Sequence, residues 1–163
     1  MLRRTFFNLG LVVVAIVLVG CSSGSSTPSA GNGDKWADHT QGLPFVIGYD
    51  AGMAKAQAEK KPAMLFVTTT WCGWCKKLAA DDLTDPDVRR LLELFVLVIV
   101  DGDTEKGAAR ALGANGFPHI VFKGPDGEDL GTIPGYVPVD QFKAAVEQAL
   151  VTLDSKPRKV AVR

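Results

Sequence analysis

Two cysteines separated by two residues follow closely on a short apolar run, and this arrangement limits what the chain can be more than any other feature. The run is Ala63-Met64-Leu65-Phe66-Val67 and the pair is Cys72 and Cys75. If a helix begins at Cys72, its thiolate faces unpaired backbone N–H groups and the positive end of the helix dipole, which favours the charged, nucleophilic form. Cys75 lies one turn further on the same face and can close a disulfide. The spacing therefore indicates a redox-active dithiol.

The same spacing also occurs in metal sites and in structural disulfides. Structural zinc takes four ligands, and the chain offers only one further cysteine, Cys21, and two histidines, His39 and His119. A two-coordinate Cu(I) site stays open, although no methionine or histidine cluster accompanies the pair. A permanently closed bridge is disfavoured, because so short a loop removes little entropy from the unfolded chain. We therefore expect no metal, and no cofactor other than the redox-active disulfide itself.

The first twenty residues are typical of an export signal. Arg3 and Arg4 precede an apolar stretch over residues 9–19, which is too short to cross a bilayer and indicates a cleaved signal. The step Leu18-Val19-Gly20-Cys21 resembles the bacterial lipobox, in which a diacylglyceryl group is attached to the cysteine sulfur. We predict a lipoprotein signal peptide over residues 1–20 and lipidation of Cys21. The protein is then exported and lipid-anchored to the outer face of a bacterial membrane, in the periplasm or at the cell surface.

Lipidation also accounts for the odd number of cysteines, because it leaves one working pair. Without Arg3 and Arg4 the chain has two more acidic than basic side chains, which gives no reason to expect a nucleic-acid partner. Residues 22–33 are almost all small or polar and predict a flexible tether, so we assign residues 21–42 to the lipidated cysteine and tether. Residues 43–153 form one globular domain, and residues 154–163 a C-terminal tail.

Apolar periodicity in the globular part predicts the order βαβαβαββα. The predicted strands are residues 45–47, 63–69, 94–100, 120–122 and 130–133, and the predicted helices are residues 51–60, 72–83, 104–112 and 139–153. The continuous apolar strand 94–100 is typical of a strand covered on both faces, and Gly124-Pro125-Asp126-Gly127 is a hairpin turn. The expected fold class is α/β, with a central mixed sheet and helices on both faces.

Three motifs in this part of the chain resemble the thioredoxin family. They are Trp71-Cys72-Gly73-Trp74-Cys75-Lys76 after a strand, Gly116-Phe117-Pro118 before the hairpin, and Gly135 before the last helix. Residues 51–62, 85–88 and 100–101 are similar to the exported branch of that family that includes the periplasmic C-terminal domain of the transmembrane thiol:disulfide reductase. The resemblance covers nearly the whole globular part and implies a thioredoxin-like fold.

The resemblance also implies a substrate-binding surface beside the cysteines. A cis peptide bond before Pro118 would present the backbone of Phe117 to an extended substrate segment. Trp71, Gly73 and Trp74 would surround the attacking sulfur as an apolar docking surface. His119 is expected in a strand near the site and not as a catalytic base.

One departure from the family concerns proton transfer. Thioredoxins commonly carry a buried acid six residues before the first cysteine, and here that position is Phe66. We expect water, or Asp81 or Asp82, to take over the proton transfer at the second cysteine.

The function implied by the resemblance is that of a thiol-disulfide oxidoreductase acting chiefly as a reductant. Cys72 attacks a disulfide of an exported protein, Cys75 resolves the mixed disulfide, and a membrane electron-donor protein restores the dithiol. Gly73-Trp74 matches neither the Gly-Pro of reducing thioredoxins nor the Pro-His of strong oxidants, so an isomerase or oxidant is the alternative. A third possibility is a non-enzymatic Cu(I)-binding or redox-sensing lipoprotein. No dimerisation segment is evident, and we expect a monomer.

Overall fold

The computed structural model describes residues 34–155 of the chain. The predicted signal peptide, Cys21 and the Ser/Gly-rich part of the tether lie outside the described residues. A 3-10 turn, Asp34–Trp36, opens the structure. The helices are α1 Ala37–Thr40, α2 Tyr49–Glu59, α3 Gly73–Asp82, α4 Pro86–Leu92, α5 Lys106–Ala111 and α6 Val139–Ser155. The strands are β1 Val46–Ile47, β2 Ala63–Thr68, β3 Val96–Asp101, β4 His119–Lys123 and β5 Asp129–Pro134.

The strands form one mixed sheet in the order β1-β3-β2-β4-β5. β3 pairs in parallel with both β1 and β2, whereas β4 runs antiparallel to β2 and β5 antiparallel to β4. Helices that follow β1 and β2 return the chain for the parallel pairings, whereas α5 connects β3 to the antiparallel strand β4. The turn after Lys123 needs only a few residues because β4 and β5 are antiparallel. The predicted mixed sheet with a closing hairpin is confirmed.

Side chains of the central strand β2 alternate between two cores. Met64 and Phe66 point to the face covered by α3, α4 and α6, whereas Leu65 and Val67 point to the face covered by α2 and α5. All six residues of β2 are buried. Each large apolar side chain buried in this way stabilises the fold by about 1.5–3 kcal/mol. The α/β class with helices on both faces, expected from the apolar runs, is therefore confirmed.

The composition predicts that the domain begins at residue 43, but the folded region already includes α1. Trp36 is fully buried and belongs to the same core as Phe66, and His39 in α1 is fully buried beside it. Their rings meet edge to face with centroids 5.2 Å apart. Trp36 accounts for this earlier start, because its large aromatic ring supplies the apolar surface that the Ser/Gly-rich residues 22–33 lack.

The last helix, α6, is amphipathic as predicted. Its buried residues Phe142, Val146 and Ala149 recur at helical spacing and face the sheet, and Leu150 and Leu153 pack at the edge of the same core. None of the helices formed by residues 34–155 is long and apolar enough to cross a lipid bilayer.

Candidate redox site

The two cysteines stand where strand β2 gives way to helix α3. Cys72 is the N-cap of α3, and its Sγ accepts a hydrogen bond from the backbone N–H of Cys75 at 3.1 Å. The N–H of Cys72 donates to the Thr69 carbonyl oxygen at 3.1 Å, which holds the loop against the end of the strand. Helix-start N–H groups have no partner inside the helix, so a negative charge on the Cys72 sulfur is stabilised there.

Cys72 and Cys75 form a disulfide, with an S–S distance of 2.04 Å and Cα atoms 5.3 Å apart. Cys72 is 5% exposed and Cys75 is fully buried. A substrate sulfur can therefore approach Cys72 alone, and only at a small opening. Among residues 34–155, no three His, Cys, Asp or Glu side chains are grouped so that they could hold a metal ion.

Two tryptophans on either side of Cys72 are the most exposed large apolar side chains near the pair. Trp71 is 68% exposed and Trp74 is 59% exposed. The indole N–H of Trp71 donates to Asp103 Oδ2 at 3.0 Å, and its ring meets Phe117 edge to face with centroids 6.2 Å apart. Because these contacts already restrict the Trp71 ring, it loses little conformational entropy when a partner covers it.

The second predicted loop, before β4, lies beside this surface. The Phe117–Pro118 peptide bond is cis, as the resemblance implies. His119, the first residue of β4, pairs with Val67 near the end of β2, so Pro118 lies at the sheet edge from which the cysteine loop leaves. A ring nitrogen of His119 lies 3.0 Å from the Leu112 carbonyl oxygen. This nitrogen is therefore engaged in a structural hydrogen bond.

The cysteine pair and the residues predicted to bind substrate therefore lie together on one face of the domain. Gly73 begins α3 and is exposed between the two tryptophans, where a Cβ would meet no other atom within 4 Å. Trp74 packs at a tilt on Tyr136, with ring centroids 5.5 Å apart. Tyr136 follows β5 and was not singled out from the sequence; the adjacent Gly135 was the signal that pointed to this loop.

Phe66 is fully buried, so the position that holds an acid in thioredoxins contributes only apolar packing. Its ring lies 6.4 Å from that of Phe45 and 6.3 Å from that of His39, centroid to centroid. The site has no carboxylate at this point of β2.

The two acids expected to compensate lie in opposite environments. Asp81 is exposed, and hydrogen bonds from Lys77 at 2.6 Å and from the Tyr136 hydroxyl at 2.7 Å lower its pKa. Asp82 is fully buried with neither carboxylate oxygen hydrogen-bonded, and burial, with the Asp81 charge next, raises its pKa to about 7. Asp82 follows Cys75 by seven residues, roughly 10 Å along the axis of α3, which is too far for a direct proton transfer to the Cys75 sulfur.

The sequence identified His39 only as a possible metal ligand and did not predict that its side chain is buried against Phe66. Neither of its ring nitrogens makes a hydrogen bond of normal geometry. Burial first, and then the Lys76 charge, lower the pKa of His39, while the nearby Thr69 carbonyl and Asp38 act in the opposite direction. The available signal was Trp36, a large aromatic residue in an otherwise polar segment, which indicates that residues around it are packed.

Comparison with known proteins shows the family to which the chain belongs. Residues 49–150 match the family described as "Thioredoxin-like domain". The chain is 32% identical over 144 residues to the thiol:disulfide interchange protein DsbD 1 of Pseudomonas aeruginosa, covering 78% of this chain and 24% of that protein. It is 29% identical over 107 residues to DsbD of Cronobacter sakazakii, covering 62% and 19%. The chain thus spans about a quarter or less of the length of these two relatives.

Solved structures show the same likeness over a whole domain. A thioredoxin from Thermus thermophilus has a TM-score of 0.59 and 31% identity, covering 66% of this chain and 88% of that one. The oxidised C-terminal domain of DsbD from Neisseria meningitidis has a TM-score of 0.53 and 29% identity, covering 61% and 91%. In both cases most of the neighbour's chain is covered, so the likeness extends well beyond the cysteine pair.

Proposed function

The chain belongs to the family of thioredoxin-like domains and carries the cysteine pair of a thiol-disulfide oxidoreductase, and from this premise we propose that it reduces disulfides of exported proteins while tethered to a membrane. The observation that carries the proposal is the Cys72–Cys75 disulfide at the N-cap of α3, with one sulfur slightly exposed beneath two exposed tryptophans. This geometry suits exchange with a disulfide in an extended, partly apolar segment of another protein.

The proposed reaction runs in two exchanges. The Cys72 thiolate attacks one sulfur of the substrate disulfide, forms a mixed disulfide and releases the other substrate sulfur as a thiolate. Cys75 then loses its proton and attacks the Cys72 sulfur, which releases the second substrate sulfur and leaves the Cys72–Cys75 disulfide. Two electrons pass to the substrate. No cofactor other than this disulfide takes part.

The exposed aromatic surface supplies the proposed substrate contacts. Trp71 and Trp74 cover apolar side chains of the substrate, and Gly73 leaves room for its backbone to approach. Phe117 and Pro118 lie at the adjacent sheet edge and bind the extended segment that flanks the substrate cysteine. Docking of this kind holds the reacting sulfurs close together for the in-line attack.

The proposed location and electron source rest on the amino-terminal sequence and on the relatives. A diacylglyceryl group on Cys21 anchors the domain to the outer face of a bacterial membrane through the following linker. A membrane electron-donor protein then restores the dithiol, and the similarity to DsbD, named as a thiol:disulfide interchange protein, supports such a partner.

The reduction potential of the Cys72/Cys75 pair tests the direction of electron flow. We expect a value close to that of reducing thioredoxins, about −270 mV, and steady reduction of a protein disulfide when a dithiol is supplied. A potential near that of strong oxidants, about −120 mV, would instead establish an oxidant. A Cys72→Ser/Cys75→Ser variant is the matched control and should be inactive. Stoichiometric copper after anaerobic purification would contradict the proposal in favour of a metal-binding lipoprotein.

A further inference from the structure

His39 is a buried imidazole whose ring packs against Trp36 and Phe66. It is fully buried, and neither ring nitrogen donates or accepts a hydrogen bond of normal geometry. Leaving a buried polar group unpaired costs about 1–3 kcal/mol, so such a group calls for a functional reason. The residue belongs to α1, which precedes the family match at residues 49–150.

Three contacts place His39 behind the start of α3. Its ring lies against Phe66, the position of the missing acid. The Thr69 carbonyl, which raises the pKa of His39, also accepts the N–H of Cys72. Lys76, the neighbour of Cys75 on α3, lies near the imidazole as well.

An exposed salt bridge also joins the two helices, α1 and α3. Asp38 Oδ2 lies 3.1 Å from Lys76 Nζ, so the residues directly before His39 and directly after Cys75 are joined. His39 contacts Trp36 and Phe66, and Cys75 belongs to the same core as both, so the buried imidazole and the buried sulfur lie on one side of the sheet. Water does not reach that sulfur from the exposed side.

We propose that the His39 imidazole accepts the proton of Cys75 during resolution of the mixed disulfide, in place of the acid that Phe66 displaces. This inference rests on the proposed function. The Cys75 S–H bond breaks, its proton moves to an unprotonated ring nitrogen of His39, and the sulfur attacks Cys72 Sγ. The bond between Cys72 and the substrate sulfur breaks, the substrate sulfur departs into solvent as a thiolate, and the proton stays on the imidazolium. Atoms and charge balance without any further reactant.

The charges around His39 suit this task. Burial and Lys76 lower its pKa, which keeps the ring neutral and able to accept a proton at neutral pH, while Asp38 stabilises the imidazolium once it forms. Phe66 of β2 and Thr69, directly after β2, lie near the ring and are uncharged. Lys35, on the preceding turn, is paired with Asp101 at 3.2 Å.

The test separates the two exchanges in a single turnover of the reduced protein with a protein disulfide. In His39→Gln we expect formation of the mixed disulfide to stay within about twofold of the parent. Its resolution should slow about 100-fold at pH 7, the low end of what a positioned general base contributes. Resolution in the parent should level off above the pKa of His39, whereas in the variant it should keep rising with pH.

Asp82→Asn is the matched control, because it also neutralises a buried, unpaired titratable group but on the far turn of α3. It should resolve the mixed disulfide at the parental rate. A rescue variant, His39→Phe/Phe66→Asp, should regain at least tenfold over His39→Phe by restoring an acid on β2. Unchanged resolution in His39→Gln, or a slow Asp82→Asn, would overturn the proposal.

A measurement on the unmutated protein keeps the proposal testable if the variants fail to fold. Titration of the His39 ring by NMR should give different pKa values in the oxidised and reduced protein, because the Cys75 proton is present only in the latter. Equal values in both forms would overturn the proposal. If the parent reduces no disulfide at all, the proposed function fails. The NMR titration still tests the link between His39 and Cys75, because it does not depend on substrate turnover.

Discussion

The imidazole of His39 lies against the ring of Phe66, with centroids 6.3 Å apart and the planes inclined at 48°. Phe66 occupies the point of β2, six residues before Cys72, where thioredoxins commonly carry a buried acid. An apolar side chain on the strand and a titratable one on the packed amino-terminal segment thus occupy adjoining volumes. In the proposed mechanism Phe66 packs the central strand and His39 accepts the proton. In thioredoxins a single buried acid at the position of Phe66 does both.

Alkylation of the reduced protein should distinguish the two thiols. We expect Cys72 to react with an apparent pKa of about 3.5–7.5, the range for thiols at helix starts, while the fully buried Cys75 stays protected. Mass spectrometry after labelling at several pH values measures this. Correspondingly, Cys75→Ala should accumulate mixed disulfides with substrates, and Cys72→Ala should not. Equal labelling of both thiols at neutral pH contradicts the assignment.

Replacing Phe66 by Asp should destabilise the fold strongly. The change vacates the core volume of a fully buried ring and buries a carboxyl group, and we expect a loss of about 3–5 kcal/mol in the free energy of unfolding. The loss should grow as pH rises, because burial disfavours the charged form. Phe66→Leu is the control and should cost about 1–2 kcal/mol without this pH dependence. Denaturant unfolding at several pH values measures both.

The buried carboxyl of Asp82 should make the protein less stable as pH rises. Its pKa is raised to about 7 from an ordinary 3.8, so between these values the folded protein keeps a proton that the unfolded chain has lost. The stabilisation is complete below pH 4 and disappears as pH rises through 7. Asp82→Asn should therefore match the parent near pH 4 and exceed it at pH 8 by as much as about 4 kcal/mol, at 1.36 kcal/mol per pKa unit.

Asp81→Asn provides the control for that experiment, since Asp81 is the exposed neighbour whose pKa is lowered by Lys77 and Tyr136. Its stabilising effect is present above pH 4 and is lost on acidification, so the variant should be slightly less stable than the parent at pH 8. Thermal unfolding of both variants across pH measures the opposite signs. A parent curve flat between pH 4 and 8 argues against a protonated Asp82.

Cys21→Ser tests the predicted lipid anchor. The lipobox-like step and the linker after it lead us to expect that the parent is processed, gains the mass of a lipid at Cys21 and sediments with membranes. The variant should remain as unprocessed precursor or appear in the soluble fraction. Intact mass spectrometry and membrane fractionation measure this, with Ser22→Ala as the matched control. Unchanged mass and membrane fractionation of the Cys21→Ser protein would contradict lipidation of Cys21.

Most of the fold was predictable because its signals are local. Five successive apolar residues in β2 and in β3 indicate strands covered on both faces, and the turn residues 124–127 indicate the hairpin. The N-cap at Cys72 was predictable for the same reason, because it depends only on residues close to it in the sequence. The burial of Asp82 also had a local signal, since Cys75, Leu78, Ala79 and Asp82 recur at helical spacing, and its neighbour Asp81 falls outside this buried stripe.

The sequence by itself determined the chemistry of the site, because a dithiol at a helix start depends on residues a few positions apart. Which titratable group shares the core with the buried thiol was decided only by the tertiary structure. Burial of Trp36 brings α1 onto the sheet, the Asp38–Lys76 pair joins it to α3, and His39 thereby reaches Phe66. Contacts between segments so distant along the chain leave no periodicity or spacing in the sequence, since they arise from the packing of one core.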